Sequence, residues 1–300
     1  MAKFKKKAKK IKEIVKKTDK KTEESAEKPQ IGKLEVFKEA SEEKEKDEVI
    51  LSVIIPAYKE EKRIGNTLLS IDKYLSPLGF PYEILVVIDG SPDNTFQVVE
   101  KYQKMIKNLW IINNPENHGK GFVVRQALLA AKGAYRLFMD ADNAVTINQI
   151  ERFSPHFEDP EVGIVIGSRD IKGADIKKHQ PYWKEALGNM GNIAIQLLAG
   201  LWGIWDTQCG FKILTAKAAE TVCPMMMINR WGFDFEMLTL IKKSGFKIAE
   251  APVDWVDMGE SKVGIRGYLQ ALKELLKVRW NLLIGKYDIK GAIEKKGAAD

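Results

Sequence analysis

Cysteine is scarce in this chain: Cys209 and Cys223 are its only two in 300 residues. Two such residues give neither a disulfide framework nor a zinc-type spacing, so a stapled secreted fold is excluded and a reducing, cytoplasmic setting is expected. Long apolar runs are lacking too. The best of them, 193–205, is too short to span a bilayer and is broken by Gln196 and two glycines, so no transmembrane helix is expected. The lysine-rich start has no apolar stretch after it of the kind a signal peptide needs. No internal period of repeat length recurs, which excludes solenoids and propellers.

What the chain has is 45% hydrophobic residues, ample for one large core, and a net charge of +7 with pI about 9.1. The charge is unevenly spread. Residues 1–20 hold ten lysines against Glu13 and Asp19, and 21–48 mix Lys and Glu with few apolar side chains. We therefore expect three regions: a basic arm and charged linker over 1–48, a folded domain over 49–287 and a tail over 288–300. The arm, with Phe4, Ile11, Ile14 and Val15 among its lysines, suits either an anionic membrane surface or a disordered solubilising tail. Nucleic acid fits poorly, because nothing downstream interleaves aromatics with a basic face.

From residue 49 the pattern alternates. Strands are expected at 49–56, 83–88, 110–113, 135–139, 162–167, 211–214 and 247–253. Helices are expected at 60–75, 95–105, 121–131, 182–201, 216–222, 233–243 and 267–284, the last basic and amphipathic. Strands alternating with helices predict an α/β fold, a mostly parallel sheet with helices on both faces.

The densest chemistry is Asp140-Ala141-Asp142, where the apolar strand at 135–139 ends. Residues two apart on a strand share a face. Two carboxylates at the carboxyl end of a parallel strand lie where open α/β sheets bind ligands, and hard oxygen donors suit Mg2+ or Mn2+ on a diphosphate. A solvated turn explains most isolated triplets of this kind. Asp89 ends another strand, able to accept a base N–H or to cap its own turn. Pro56-Ala57-Tyr58-Lys59-Glu60 ends the first strand; Tyr58 can cover a nucleotide, and Glu60 can bind or merely open a helix. Asn117-His118-Gly119-Lys120-Gly121 is a glycine-bearing helix start that can meet phosphate through backbone N–H groups and Lys120. Gly167-Ser168-Arg169 puts a fixed cation after a strand. Gly259-Glu260-Ser261-Lys262 is either a ligand-closing loop or an idle connector.

Together with Asp206-Thr207-Gln208-Cys209-Gly210-Phe211-Lys212 and Phe233-Asp234-Phe235-Glu236, these segments make the chain, from about 51 to 287, resemble the family-2 glycosyltransferases of GT-A fold. It is most similar to the branch that loads polyprenyl phosphates, the dolichyl-phosphate β-glucosyltransferases and dolichol-phosphate mannosyltransferases. Two departures are visible: Ile88 stands where the family usually has a first aspartate, and Ala144 where mannosyl enzymes often place glutamine. The resemblance implies an inverting transfer of a hexose, glucose before mannose, from UDP-glucose or GDP-mannose to a polyprenyl phosphate. It implies that Pro56, Ala57, Tyr58, Glu60 and Asp89 line the nucleoside pocket, that Asp140 and Asp142 hold the metal, and that Lys120, Arg169, Ser261 and Lys262 serve the phosphates. Asp206 and Gln208 then face the sugar or acceptor, Asp206 acting as a base only if the acceptor is a hydroxyl. A lipid acceptor also implies peripheral association with the cytoplasmic face of a membrane. The segment around 193–205, with Trp202 and Trp205, and the helix with Trp280 are the candidates for it, core packing being the alternative.

Overall fold

The computed structural model describes residues 34–43, 48–176, 182–256 and 265–298. Seven strands build one sheet: β1 (Leu51–Ala57), β2 (Tyr82–Asp89), β3 (Leu109–Asn114), β4 (Tyr135–Met139), β5 (Val162–Ser168), β7 (Phe211–Thr215) and β8 (Lys247–Pro252). Their order is β3-β2-β1-β4-β7-β5-β8. A separate parallel pair joins β6 (Asp175–Ile176) to β9 (Asp254–Trp255).

The period of two along each strand sorts the side chains into two cores. Val53, Ile55 and Ala57 join Ile84, Val86 and Ile88 on one face, while Ile54 joins Leu85 and Val87 on the other. A sheet buried on both faces reads as continuous apolar runs rather than alternation, as these strands do. On the first face lie α2 (Ile64–Leu75) and α3 (Thr95–Gln103). In α2, Ile64, Leu68, Ile71 and Leu75 recur at helical spacing and are all fully buried, each worth roughly 1.5–3 kcal/mol. On the second face lie α4 (Lys120–Ala130), α6 (Ala216–Val222) and α7 (Phe233–Lys243). Beside them pack α5 (Tyr182–Ala199), through Ile195 and Ala199, and α8 (Ile265–Leu283), through Leu275 and Val278.

Two stretches differ from expectation. Within the charged linker, Glu35–Glu43 forms α1, because Leu34 and Phe37 find a complete apolar environment: the Phe37 ring meets Tyr135 edge-on at 4.9 Å. In the tail, Ile289–Ala298 forms α9 against α6. The arm at 1–33 lies outside the described residues.

One topological feature positions the site. β1, β2, β4 and β5 share one orientation and end at the same edge, but β7 runs antiparallel between β4 and β5, with Phe211 opposite Met139. β7 therefore starts where β4 ends, and the segment 206–210 arrives at the edge that carries Asp140.

Candidate active site

A cavity of about 570 Å³ opens at this edge. It is lined by Pro56, Ala57, Tyr58, Lys59 and Glu60 after β1, by Asp89 of β2, by Asn117, Gly119 and Lys120 at the start of α4, and by Asp140 and Asp142 after β4. Arg63 and the Arg230–Trp231 pair complete the wall. Eight of the residues singled out in the sequence thus meet in one space.

Asp89 is 2% exposed, and besides lining the cavity it has a structural part in the fold. Its two oxygens accept the backbone N–H groups of His118 and Gly119, each at 2.8 Å, so the carboxylate clamps a loop 30 residues away. Gly119 stands at φ +102°, and a Cβ there would meet the Asn229 carbonyl at 2.4 Å, so only glycine lets the loop approach this closely. Glu60 forms a two-point ion pair with Arg63, at 2.8 and 2.9 Å, and its N–H donates to Thr95 Oγ1. It fixes the turn before α2 and holds Arg63 at the cavity.

Lys120 Nζ lies 2.5 Å from Asp140 Oδ1. Burial alone would lower the ammonium's pKa, but Asp140, Asp234 and Asp142 together raise it. Burial and the neighbouring Asp140 charge raise Asp142 above the usual carboxylate range. Behind them the polar chain continues into the core. Lys212 on β7 is wholly buried and donates to the Cys209 carbonyl and to Asp234, both at 2.5 Å. Burial also raises Asp234, despite Lys212 and Lys120 beside it. Gly210 packs so closely on Asp140 that a Cβ would stand 2.0 Å from Oδ2. Only glycine at 210 leaves room for the Asp140 side chain where it stands.

Arg169 and Asp206 sit further along the edge and form a closed pair. Asp206 accepts from Arg169 Nε at 2.7 Å, Nη2 at 3.0 Å and the backbone N–H at 3.1 Å. The guanidinium also covers the Trp255 ring at 5.4 Å. Burial would push the Asp206 carboxyl up, but the Arg169 charge and hydrogen bonds hold it below the usual range. A carboxylate so occupied is a weak base and a good anchor. Gln208 follows on the exposed side of the turn. Ser261 and Lys262 lie outside the described residues.

Arg63, Arg230, Trp231, Lys212 and Asp234 carry no strand-end signal of the kind that singled out the others. The pairing of Lys212 with Asp234 follows only from the antiparallel entry of β7. The donor set fits a divalent ion: two carboxylates converge on the cavity with a lysine ammonium drawn against one of them, and Asn143 Oδ1 in the same turn is buried without a partner among the described residues. Among the described residues no group of three or more acidic, His or Cys side chains gathers, so donor phosphates and water would supply the other ligands.

The outer surface of α5 and α8 is apolar. Ile193, Leu197, Trp202 and Trp205 are exposed around the end of α5, and Leu269, Leu272, Leu276, Trp280 and Leu283 along α8. The sequence reading put Leu272, Leu275, Leu276 and Leu283 on one side of α8. In the fold Leu275 turns inward with Val278, and the remaining three face outward. Core packing thus holds for the inner face of the helix, and its outer face is exposed. Among the described residues no helix is long and apolar enough to cross a membrane.

The family model for glycosyl transferase family 2 matches residues 52–223. A dolichyl-phosphate beta-glucosyltransferase of Dictyostelium discoideum is 34% identical over 256 residues, 81% of this chain and 78% of that protein. The Homo sapiens protein of the same name is 33% identical over 253 residues, 79% and 77% of the two chains. Among solved structures, mannosyl-3-phosphoglycerate synthase from Rubrobacter xylanophilus superposes with a TM-score of 0.62 at 17% identity, over 87% of this chain and 80% of that one. Glucosyl-3-phosphoglycerate synthase from Mycobacterium tuberculosis, in complex with Mn2+, UDP-glucose and phosphoglyceric acid, gives 0.57 at 18% identity over 83% of each chain. At such identities these structures speak for the fold, a GT-A-like one.

Proposed function

The chain belongs to glycosyl transferase family 2 and is a glycosyltransferase, and from that premise we propose that it transfers glucose from UDP-glucose to a polyprenyl phosphate of the dolichyl type. The observation that carries this reading is the similarity to dolichyl-phosphate glucosyltransferases across four-fifths of the chain, cavity included. GDP-mannose is the next donor to consider.

The reaction joins an acceptor phosphate oxygen to the anomeric carbon and breaks that carbon's bond to the nucleoside diphosphate, with inversion. The acceptor oxygen is already ionised near neutral pH, so positioning replaces a general base. This agrees with an Asp206 whose oxygens are given to Arg169; an enzyme with a hydroxyl acceptor would need that carboxylate free. The departing diphosphate accumulates charge, which Lys120, Arg63 and Arg230 are placed to meet from the cavity wall. We assign Asp140 and Asp142 to hold Mg2+ or Mn2+, which when bound supplies Lewis-acid stabilisation of that leaving group. Arg169, set by Asp206, is assigned to the acceptor phosphate, with Ser261 and Lys262 as further phosphate contacts.

A lipid acceptor requires access to a bilayer. The outward stripe of α8 is flanked by the exposed cations Lys273, Lys277 and Arg279, and three exposed tryptophans mark the same region. Apolar side chains bordered by cations, with tryptophan among them, suit the interface of an anionic leaflet. We therefore propose peripheral docking of this face. We propose the cytoplasmic face, where thiols such as those of the unbridged Cys209 and Cys223 stay reduced.

The test is transfer from radiolabelled UDP-glucose and, in parallel, GDP-mannose to a short polyprenyl phosphate with Mn2+, Mg2+ or EDTA. Label should enter the lipid phase from UDP-glucose with metal and not with EDTA. Hydrolysis of nucleotide-sugar without lipid label would overturn the acceptor.

A further inference from the structure

The wall that carries Arg230 and Trp231 is a loop between α6 and α7, and it is held from two directions. From the sheet side, Glu236 of α7 accepts the N–H groups of Met227 and Ile228, both at 2.9 Å, and Arg125 of α4 donates to the Met226 carbonyl. From the outer side, the holds among the described residues come from α8 and the turn after it. Glu274, 7% exposed, accepts the Gly232 N–H at 2.7 Å, and the Tyr287 hydroxyl donates to Glu236 at 2.7 Å. Gly232 has no room for a side chain, since a Cβ would meet Glu274 Cβ at 2.8 Å and Phe235 Cζ at 2.5 Å.

At 100° per residue, Glu274, Val278 and Asn281 lie on the face of α8 opposite Leu269, Leu272, Leu276, Trp280 and Leu283. A single rigid helix thus grips the cavity wall on one side and presents the apolar stripe on the other. We propose that Glu274 is a positioning residue which transmits contact between α8 and an anionic bilayer to the Arg230–Trp231 wall, so that docking tightens binding of the nucleoside diphosphate. This rests on the docking reading above. Because such coupling is reciprocal, bound nucleotide also tightens docking by the same factor.

The experiment measures UDP binding by titration calorimetry, with Mn2+, in the presence and absence of phosphatidylcholine–phosphatidylglycerol vesicles free of polyprenyl phosphate. Vesicles should tighten UDP binding to the wild type by about fivefold or more. Glu274→Ala should bind UDP about tenfold more weakly in solution and lose the response to vesicles while still sedimenting with them. Glu274→Gln keeps an oxygen for the Gly232 N–H and should restore both. Should the alanine variant not fold, Glu274→Asp, one methylene too short, reads the same hold. UDP affinity in Glu274→Ala equal to that of the wild type, with and without vesicles, would overturn the proposal and leave docking intact. Failure of the wild type to sediment with vesicles would overturn docking and the coupling with it, and the lipid-free comparison would still decide the positioning role.

Discussion

Lys120–Asp140 and Arg169–Asp206 are both cation–carboxylate pairs at one edge of one sheet, and they are built differently. The first is a one-point contact at the cavity wall, with both side chains partly open. The second is a three-point grip in which the Asp206 side chain is 3% exposed. A lysine ammonium on a flexible stem can leave a carboxylate for a phosphate and return; a forked guanidinium held at two points keeps its direction. The difference teaches which charges are to be exchanged during a turnover and which are to stay. On the mechanism proposed above, Asp140 is released to a metal, whereas Asp206 keeps Arg169 throughout.

Substitutions can break this contrast. The largest effect is expected for Asp140→Asn: with a carboxylate assigned to the metal gone, kcat for lipid labelling should fall about a thousandfold, while the melting temperature measured in EDTA stays close to that of the wild type. Arg169→Lys should cost roughly a hundredfold in kcat, because an ammonium cannot reproduce the two-point grip, with KM for the acceptor rising more than KM for the donor. Steady-state kinetics in both substrates decides this. A rise confined to the donor would move Arg169 to the other half of the site.

The smallest effect sharpens the contrast through pH. The Asp206 carboxyl lies below its ordinary 3.8 in the folded protein, so the pair's contribution to stability is present above that pH and is lost as pH falls through the lowered folded value. Asp206→Asn should therefore melt roughly 5 °C below the wild type near neutrality, and the two curves should converge in strong acid. Thermal melts across the acid range check it. A gap that persists at the lowest pH would mean that packing, not charge, holds the segment.

The cavity side of the molecule was largely legible. β4 matched its expected bounds residue for residue, and Asp89, Asp140 and the segment after β1 were found because strand ends announce themselves by apolar runs that stop in polar residues. The side that carries Arg169 and Asp206 was less so. Nothing in the apolar run at 211–215 reveals that it enters antiparallel, and from that reversal alone follow the arrival of Asp206 beside Arg169 and of Lys212 beside Asp234. α1 was missed because two buried residues, Leu34 and Phe37, outweigh a mostly charged composition only when their partners across the fold are known. Arg230 and Trp231 occupy a loop whose shape is set by α4, α7 and α8, three elements distant in sequence.

Lys212 has a consequence of a different kind. Its amine is sealed between two acceptors in the middle of the sheet, while most of the other described lysines stand in water. Amine-reactive reagents that tag the surface of the native protein will pass it by. Its tagging rate is then a clock for the opening of the sheet between β4 and β5, carried within the unaltered chain.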